Sequence, residues 1–149
     1  MRDTTALAKT LAKALEPGDV VALHGDLGAG KTTFARALIA AFAAEAGQAA
    51  PEVPSPTFTL VQTYEFPRAT LWHCDLYRIE RPEDALELGI EEALAGGIAL
   101  IEWPERLGRL LPARRIEVNL AFTGTGAARR IAIAAPPALA RRVAAAFAA

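Results

Sequence analysis

The chain has little of what many functional sites are built from. One cysteine, Cys74, among 149 residues excludes an intramolecular disulfide framework and suits a reducing compartment. Adding its two histidines still leaves too few ligands for a closed structural zinc site. The one asparagine, Asn119, is followed by Leu120, so the Asn-Lys-x-Asp reader of guanine nucleotides is missing. Long apolar runs are missing too. Lys9 and Lys13 interrupt the N-terminal stretch Thr4 to Leu15, which makes it neither a signal peptide nor a membrane span. The expected location is cytoplasmic, with no membrane contact.

Length and composition set the scale. A chain of 149 residues fits one domain, residues 1 to 149, built on one central sheet. The 52% hydrophobic content overstates the core, because 34 of those residues are alanine, which buries little area and mainly supports helices. The net charge of −1 is unevenly spread: residues 45 to 105 carry nine net negative charges and residues 106 to 149 seven net positive ones. A basic segment of this kind is either a solvated face or a surface for an acidic partner or nucleic acid, and the solvated reading is favoured.

Periodicity places the elements. Thr4 or Thr5 can cap a first helix carrying Leu7, Leu11 and Leu15 and ending at Glu16-Pro17-Gly18. A short apolar strand, Val20 to Leu23, follows, and Thr32 to Ala46 reads as a helix with Phe34, Leu38, Ile39 and Phe42 on one stripe. The proline-rich stretch Gly47 to Pro56 is a loop, Phe58 to Tyr64 a strand, and Thr70 to Asp75 a strand that pairs with it. Pro82 starts a helix reaching about Leu88, and Gly89 interrupts it before a turn at Glu91 to Leu94. Ile98 to Ile101 is a buried strand ending at Glu102, and Pro104 permits a short helix toward Leu110. Ile116 to Phe122 and Arg129 to Ala134 form a hairpin around Thr123 to Gly126, and a last helix begins near Pro136 or Pro137. The fold class is therefore α/β, a three-layer P-loop NTPase-like sandwich with a mixed central sheet.

Between the first strand and the second helix lies Gly25-Asp26-Leu27-Gly28-Ala29-Gly30-Lys31-Thr32, a full Walker A pattern in the strand-to-helix context that the pattern requires. Its glycines let backbone amides turn inward as an anion nest at a helix N-terminus. Lys31 then reaches the β- and γ-phosphates of ATP, and the Thr32 hydroxyl ligates Mg2+. Asp26 and Leu27 shape the loop.

The metal needs an acid at the end of a neighbouring buried strand, and Glu102 and Asp75 both fit. Glu102 follows the more apolar run and is favoured for the metal shell, with Asp75 for a metal-bound or nucleophilic water. Each has a plainer reading as a strand-end carboxylate satisfied by backbone amides. Thr57, in the loop after the P-loop helix, is a candidate γ-phosphate sensor. Trp103 reads as packing, and His73 as structural.

Four segments in order resemble one family: Leu23 to Phe34, Ser55-Pro56-Thr57-Phe58, His73-Cys74-Asp75-Leu76-Tyr77-Arg78 and Ile101-Glu102-Trp103-Pro104-Glu105. They are similar to TsaE, formerly YjeE, over nearly the whole chain. The resemblance implies an ATPase, weak alone, that works with the TsaB and TsaD proteins in forming threonylcarbamoyladenosine beside the anticodon of tRNAs reading codons that begin with A. TsaD carries out the transfer, and tRNA is met through the complex. The resemblance further implies phosphate contacts from Asp26 to Lys31 with Thr33 beside them, magnesium ligands at Thr32 and Glu102, and Gly126 of the late hairpin at the nucleotide's other end. The chain starts close to its first helix, so an adenine contact from a longer leader is expected to be missing.

Three other readings compete. A small-molecule or nucleotide kinase would share the loop and use arginines such as Arg106, Arg109, Arg114 or Arg115, but the chain is short for an acceptor domain and lid. A switch GTPase lacks its guanine reader. A noncatalytic module would bind ATP only to stabilise an interface, and turnover with and without partners separates it from an ATPase.

Overall fold

The computed structural model describes residues 2–26, 28–54, 60–122 and 129–148. In chain order these form α1 (Arg2–Ala14), β1 (Val20–His24), α2 (Lys31–Glu45), β2 (Val61–Glu65), β3 (Thr70–Asp75), a 3-10 helix (Pro82–Leu88), α3 (Ile90–Gly96), β4 (Ile98–Glu102), a second 3-10 helix (Pro104–Leu110), β5 (Ile116–Phe122), β6 (Arg129–Ala134) and α4 (Pro137–Ala148).

Six strands make one sheet in the order β2-β3-β4-β1-β5-β6. The central strands β3, β4, β1 and β5 run parallel, and β2 and β6 pair antiparallel with β3 and β5 at the two edges. The parallel strands are the ones with continuous apolar sequence, as burial on both faces requires. All five residues of β4 and four of the five in β1 are buried.

Alternation along the strands divides the core in two. Val21, Leu23, Leu71, Ile98, Leu100, Ile116 and Val118 face α1, α2 and α4, where Leu11, Phe34, Leu38, Ile39 and Phe42 meet them. Val20, Cys74, Ala99 and Ile101 face the other way, onto Ile79, Ala85, Ile90, Ala93 and Leu107 around α3 and the 3-10 helices. Two helical layers enclosing a mixed sheet are the expected α/β sandwich.

An ion pair ties the last helix to this frame. The Arg142 guanidinium of α4 donates to both carboxylate oxygens of buried Asp19, at 2.8 and 2.9 Å, and to Ala14 O at 2.5 Å. Asp19 also accepts the Glu16 amide at 2.8 Å, so one carboxylate joins the end of α1, the start of β1 and α4.

The structure corrects two local expectations. Helix α1 begins at Arg2, so Thr4 and Thr5 lie inside it and are not its cap. Residues expected as a turn at Glu91 to Leu94 belong to α3, which starts directly after Gly89. That glycine, at φ 80°, closes the 3-10 helix in a left-handed conformation and opens the next helix in a new direction.

Candidate functional site

Open α/β sheets collect chemistry beyond the carboxyl ends of their parallel strands. Here β1, β3 and β4 end together, with Leu23 opposite Glu102 and Asp75 opposite Glu102 in the two ladders. β1 leads into Gly25, whose φ is 150° and where a Cβ would lie 2.7 Å from Leu120 O of β5. The turn therefore presses against the neighbouring strand, and only glycine fits. Gly28 and Gly30 also have positive φ, 80° and 105°, and Ala29 N donates to Asp26 O at 3.0 Å within the turn.

Helix α2 starts at Lys31, and Phe34 N makes its first turn by donating to Gly30 O at 2.9 Å. The amides of Lys31, Thr32 and Thr33 are thus the donors that a helix start leaves without intrahelical partners. They border a pocket of about 210 Å3 between Gly28 to Thr33 and the residues Glu102 and Trp103. A roomier cleft of about 420 Å3 between β6 and α4 is lined by Ile131, Ile133, Val143, Phe147 and alanines, and offers no titratable group.

Lys31 is 5% exposed. Its ammonium donates to Gly25 O and, at 3.2 Å, to Asp26 O, and lies 3.8 Å from the centre of the Trp103 ring. These partners are carbonyl dipoles and a ring face rather than a carboxylate. Burial pulls the Lys31 pKa below its ordinary value, opposed by the charge of Glu102 and, more weakly, of Glu105, Asp75 and Asp26.

Trp103 packs, as its sequence position suggested, and what it packs on is Lys31. The residue holds a left-handed backbone, φ 58° and ψ 52°, costly for a side chain of this size. The indole also meets Tyr77 at a centroid distance of 4.9 Å, and the Arg106 guanidinium lies 5.7 Å from the Tyr77 ring.

Glu102 is 3% exposed and its carboxylate is closely held. Thr32 Oγ1 is 2.9 Å from each oxygen and donates its one proton to them. His73 Nε2 lies 2.7 Å from Oε2. Asp75, 5% exposed, accepts the Tyr77 amide on Oδ1 at 3.0 Å, an interaction that caps the end of β3.

The structure thus brings Lys31, Thr32, Thr33, Asp75 and Glu102 to one end of the sheet beside Gly25, Asp26, Gly28, Ala29 and Gly30. Leu27, Thr57 and Gly126 lie outside the described residues. His73, read from sequence as structural, enters the site through Glu102. The signal was the two-residue spacing from Asp75, which puts both side chains on one face of β3. Among the described residues, no group of three or more His, Cys, Asp or Glu side chains is placed to hold a metal ion alone.

Several arginines of the basic C-terminal segment make internal contacts. Arg114 lies 3.5 Å from Asp19, Arg115 bonds Pro112 O at 2.8 Å and Glu117 at 3.2 Å, and Arg109 pairs with Glu83 at 2.9 Å. No helix is long and apolar enough to cross a membrane among the described residues.

A family model described as threonylcarbamoyl adenosine biosynthesis protein TsaE matches residues 1–131. The chain belongs to the TsaE family. Among its relatives is a tRNA threonylcarbamoyladenosine biosynthesis protein TsaE of Rickettsia bellii, 50% identical over 118 residues, which cover 79% of this chain and 79% of that one. The TsaE of Bacillus subtilis is 38% identical over 123 residues, 82% of this chain and 73% of the relative. The crystal structure of Bacillus subtilis YdiB superposes with a TM-score of 0.76 at 27% identity, covering 98% of this chain and 88% of that one. The TsaE match takes in every residue of the site, whereas α4 lies beyond it.

Proposed function

We propose that this TsaE-family chain binds ATP with Mg2+ at the P-loop and hydrolyses it, slowly when alone, in support of threonylcarbamoyladenosine formation next to the tRNA anticodon, in the cytoplasm. The TsaB and TsaD proteins are the partners in this reading, with TsaD carrying out the transfer and tRNA met through the complex.

The observation that carries it is the buried Lys31 ammonium, which bonds carbonyl dipoles and meets a ring but, among the described residues, forms no direct ion pair, at a helix start that leaves its first amides free of intrahelical bonds. The charges of Glu102, Glu105, Asp75 and Asp26 offset the cost of its burial only in part, and phosphate adds a direct anionic partner. The residues fit the nucleotide in two further respects. A side chain at Gly25 would collide with β5, so the loop holds a backbone-lined cradle. The donor set around Thr32 and Glu102 is all oxygen, suited to a hard cation that takes one or two protein ligands and completes its shell with phosphate and water.

Each residue then has a task. Lys31 exchanges its carbonyl partners for phosphate oxygens, and the amides of Lys31 to Thr33 hold the phosphate chain at the helix start. Thr32 and Glu102 would hold the metal, the Glu102 carboxylate already accepting the Thr32 hydroxyl proton. Asp75, one strand over, orients the attacking water, its other interactions fixing it at the strand end. The bound ion supplies charge neutralisation and in-line geometry to phosphoryl transfer.

The test is reconstitution of tRNA modification with the partner proteins, with and without this chain. Modification should require the chain and fall when Lys31→Ala replaces it. Full modification in its absence overturns the reading.

A further inference from the structure

The geometry points to His73 as a positioning residue that fixes the Glu102 carboxylate in the orientation that the Thr32 metal site needs. The inference rests on the nucleotide reading above, in which Thr32 and Glu102 serve Mg2+.

Glu102 has three rotatable side-chain bonds at the last position of its strand, so its carboxylate needs more than backbone order to stay in place. Two groups hold it. Thr32 contributes one hydroxyl proton, shared between two oxygens at equal distances of 2.9 Å. That contact fixes neither oxygen in preference to the other. It also involves the oxygen atom that a metal would engage.

His73 differs on both points. It addresses one oxygen only, Oε2, at 2.7 Å. The ring is fully buried in the parallel centre of the sheet, paired with Leu100 of β4 and Gln62 of β2 on either side. Its other nitrogen, Nδ1, is buried and has no hydrogen-bond partner among the described residues. The ring therefore points its bonding capacity at Glu102, and Nε2 carries the proton that Oε2 accepts. Oε2 thus meets both His73 and Thr32, whereas Oε1 meets Thr32 alone among the hydrogen bonds of the described residues, and the His73 contact is what distinguishes the two oxygens.

A partner behind the metal-facing carboxylate sets how well the site is preorganised, and loss of such a partner typically weakens metal binding about ten- to a hundredfold. His73 touches neither the P-loop lysine nor the helix-start amides in this arrangement. Its removal should therefore act on magnesium and not on the phosphates.

The experiment measures ADP affinity by calorimetry with magnesium and with EDTA, for the wild-type chain, His73→Leu and His73→Gln, each checked by thermal melting. His73→Leu should keep the magnesium-free affinity and lose about tenfold of the magnesium-dependent gain. His73→Gln, whose amide can donate from nearly the same place, should recover most of it. In the metal-free wild type, nitrogen-detected NMR should find the His73 proton on Nε2. Full magnesium coupling in His73→Leu, equal loss of both affinities, or no recovery in His73→Gln overturns the inference alone, as does a ring protonated only on Nδ1. These last two keep the test decisive where His73→Leu fails to fold. No magnesium coupling in the wild type overturns the nucleotide reading and this inference with it.

Discussion

Asp75 and Glu102 are register partners across the parallel pair β3 and β4, side by side on the sheet face that carries the P-loop helix. Their surroundings differ, in keeping with the separate roles proposed for them. Glu102 is bonded by Thr32 and His73, whereas Asp75 takes the Tyr77 amide at its own strand end. Glu102→Ala should leave nucleotide affinity in EDTA near wild type while abolishing its magnesium dependence, and hydrolysis and tRNA modification should fall together. Asp75→Asn should cut turnover and keep magnesium-dependent affinity. Calorimetry of both variants with and without magnesium decides it: a larger metal defect in Asp75→Asn would exchange the two assignments.

On the proposed function, Lys31 couples nucleotide binding to a cost in stability. Lys31→Met should weaken ATP binding by roughly ten- to a hundredfold, the worth of a charge-assisted phosphate contact, while stabilising the nucleotide-free fold by removing a buried charge. The pH dependence follows from the direction of the pKa shift. The native Lys31 pKa lies below the ordinary value of 10.5, so between the two the unfolded chain binds a proton that the native chain lacks. Stability contributed by Lys31 therefore rises with pH through that window, and below it the full cost is present. Urea titrations should show the advantage of Lys31→Met shrinking as pH climbs toward about 10. A constant advantage would mean that the charge is not what Lys31→Met relieves.

Cys74 offers a reporter of the fold. It is fully buried on the α3 side of β3, and burial pushes its thiol up to about 12. Since the thiolate is the reactive form, alkylation should be negligible in the native protein and appear only with global opening. Labelling rates measured against urea concentration should track the unfolding transition. Fast labelling without denaturant would show a local opening of β3 beside Asp75.

The elements that the sequence makes legible are those with local cause. Apolar runs mark β1 and β4, a four-residue stripe marks α2, and glycine spacing marks the phosphate loop. α3 escaped because Gly89 reads as a stop, while its left-handed φ of 80° serves to restart the chain as a helix. The pairing of Asp75 with Glu102 depends on β3 lying beside β4, a choice made by distant packing that periodicity does not encode. The same holds for His73, which reads as an interior histidine until β4 brings Glu102 to it. Trp103 over Lys31 rests on a left-handed backbone that no propensity favours for tryptophan.

The clamp between Arg142 and Asp19 gives α4 a part in holding the sheet's start. Asp19 is 2% exposed and immediately precedes β1, the strand that delivers the phosphate loop. Arg142 meets it with two parallel bonds and reaches Ala14 O at the end of α1 as well. Arg142→Met would strand a buried carboxylate, a change that usually costs about 3 to 5 kcal/mol. Here the Glu16 amide and the more distant Arg114 remain, so a loss of about 2 to 3 kcal/mol is expected. The double variant Asp19→Asn with Arg142→Met should lose less than the sum of the two single changes, because the stranded charge is gone. Equilibrium urea unfolding of the four proteins measures this coupling. Additive losses would reduce the clamp to an ordinary surface pair, and nucleotide affinity, read in the same variants, should stay unchanged because the clamp lies at the opposite end of β1 from the phosphate loop.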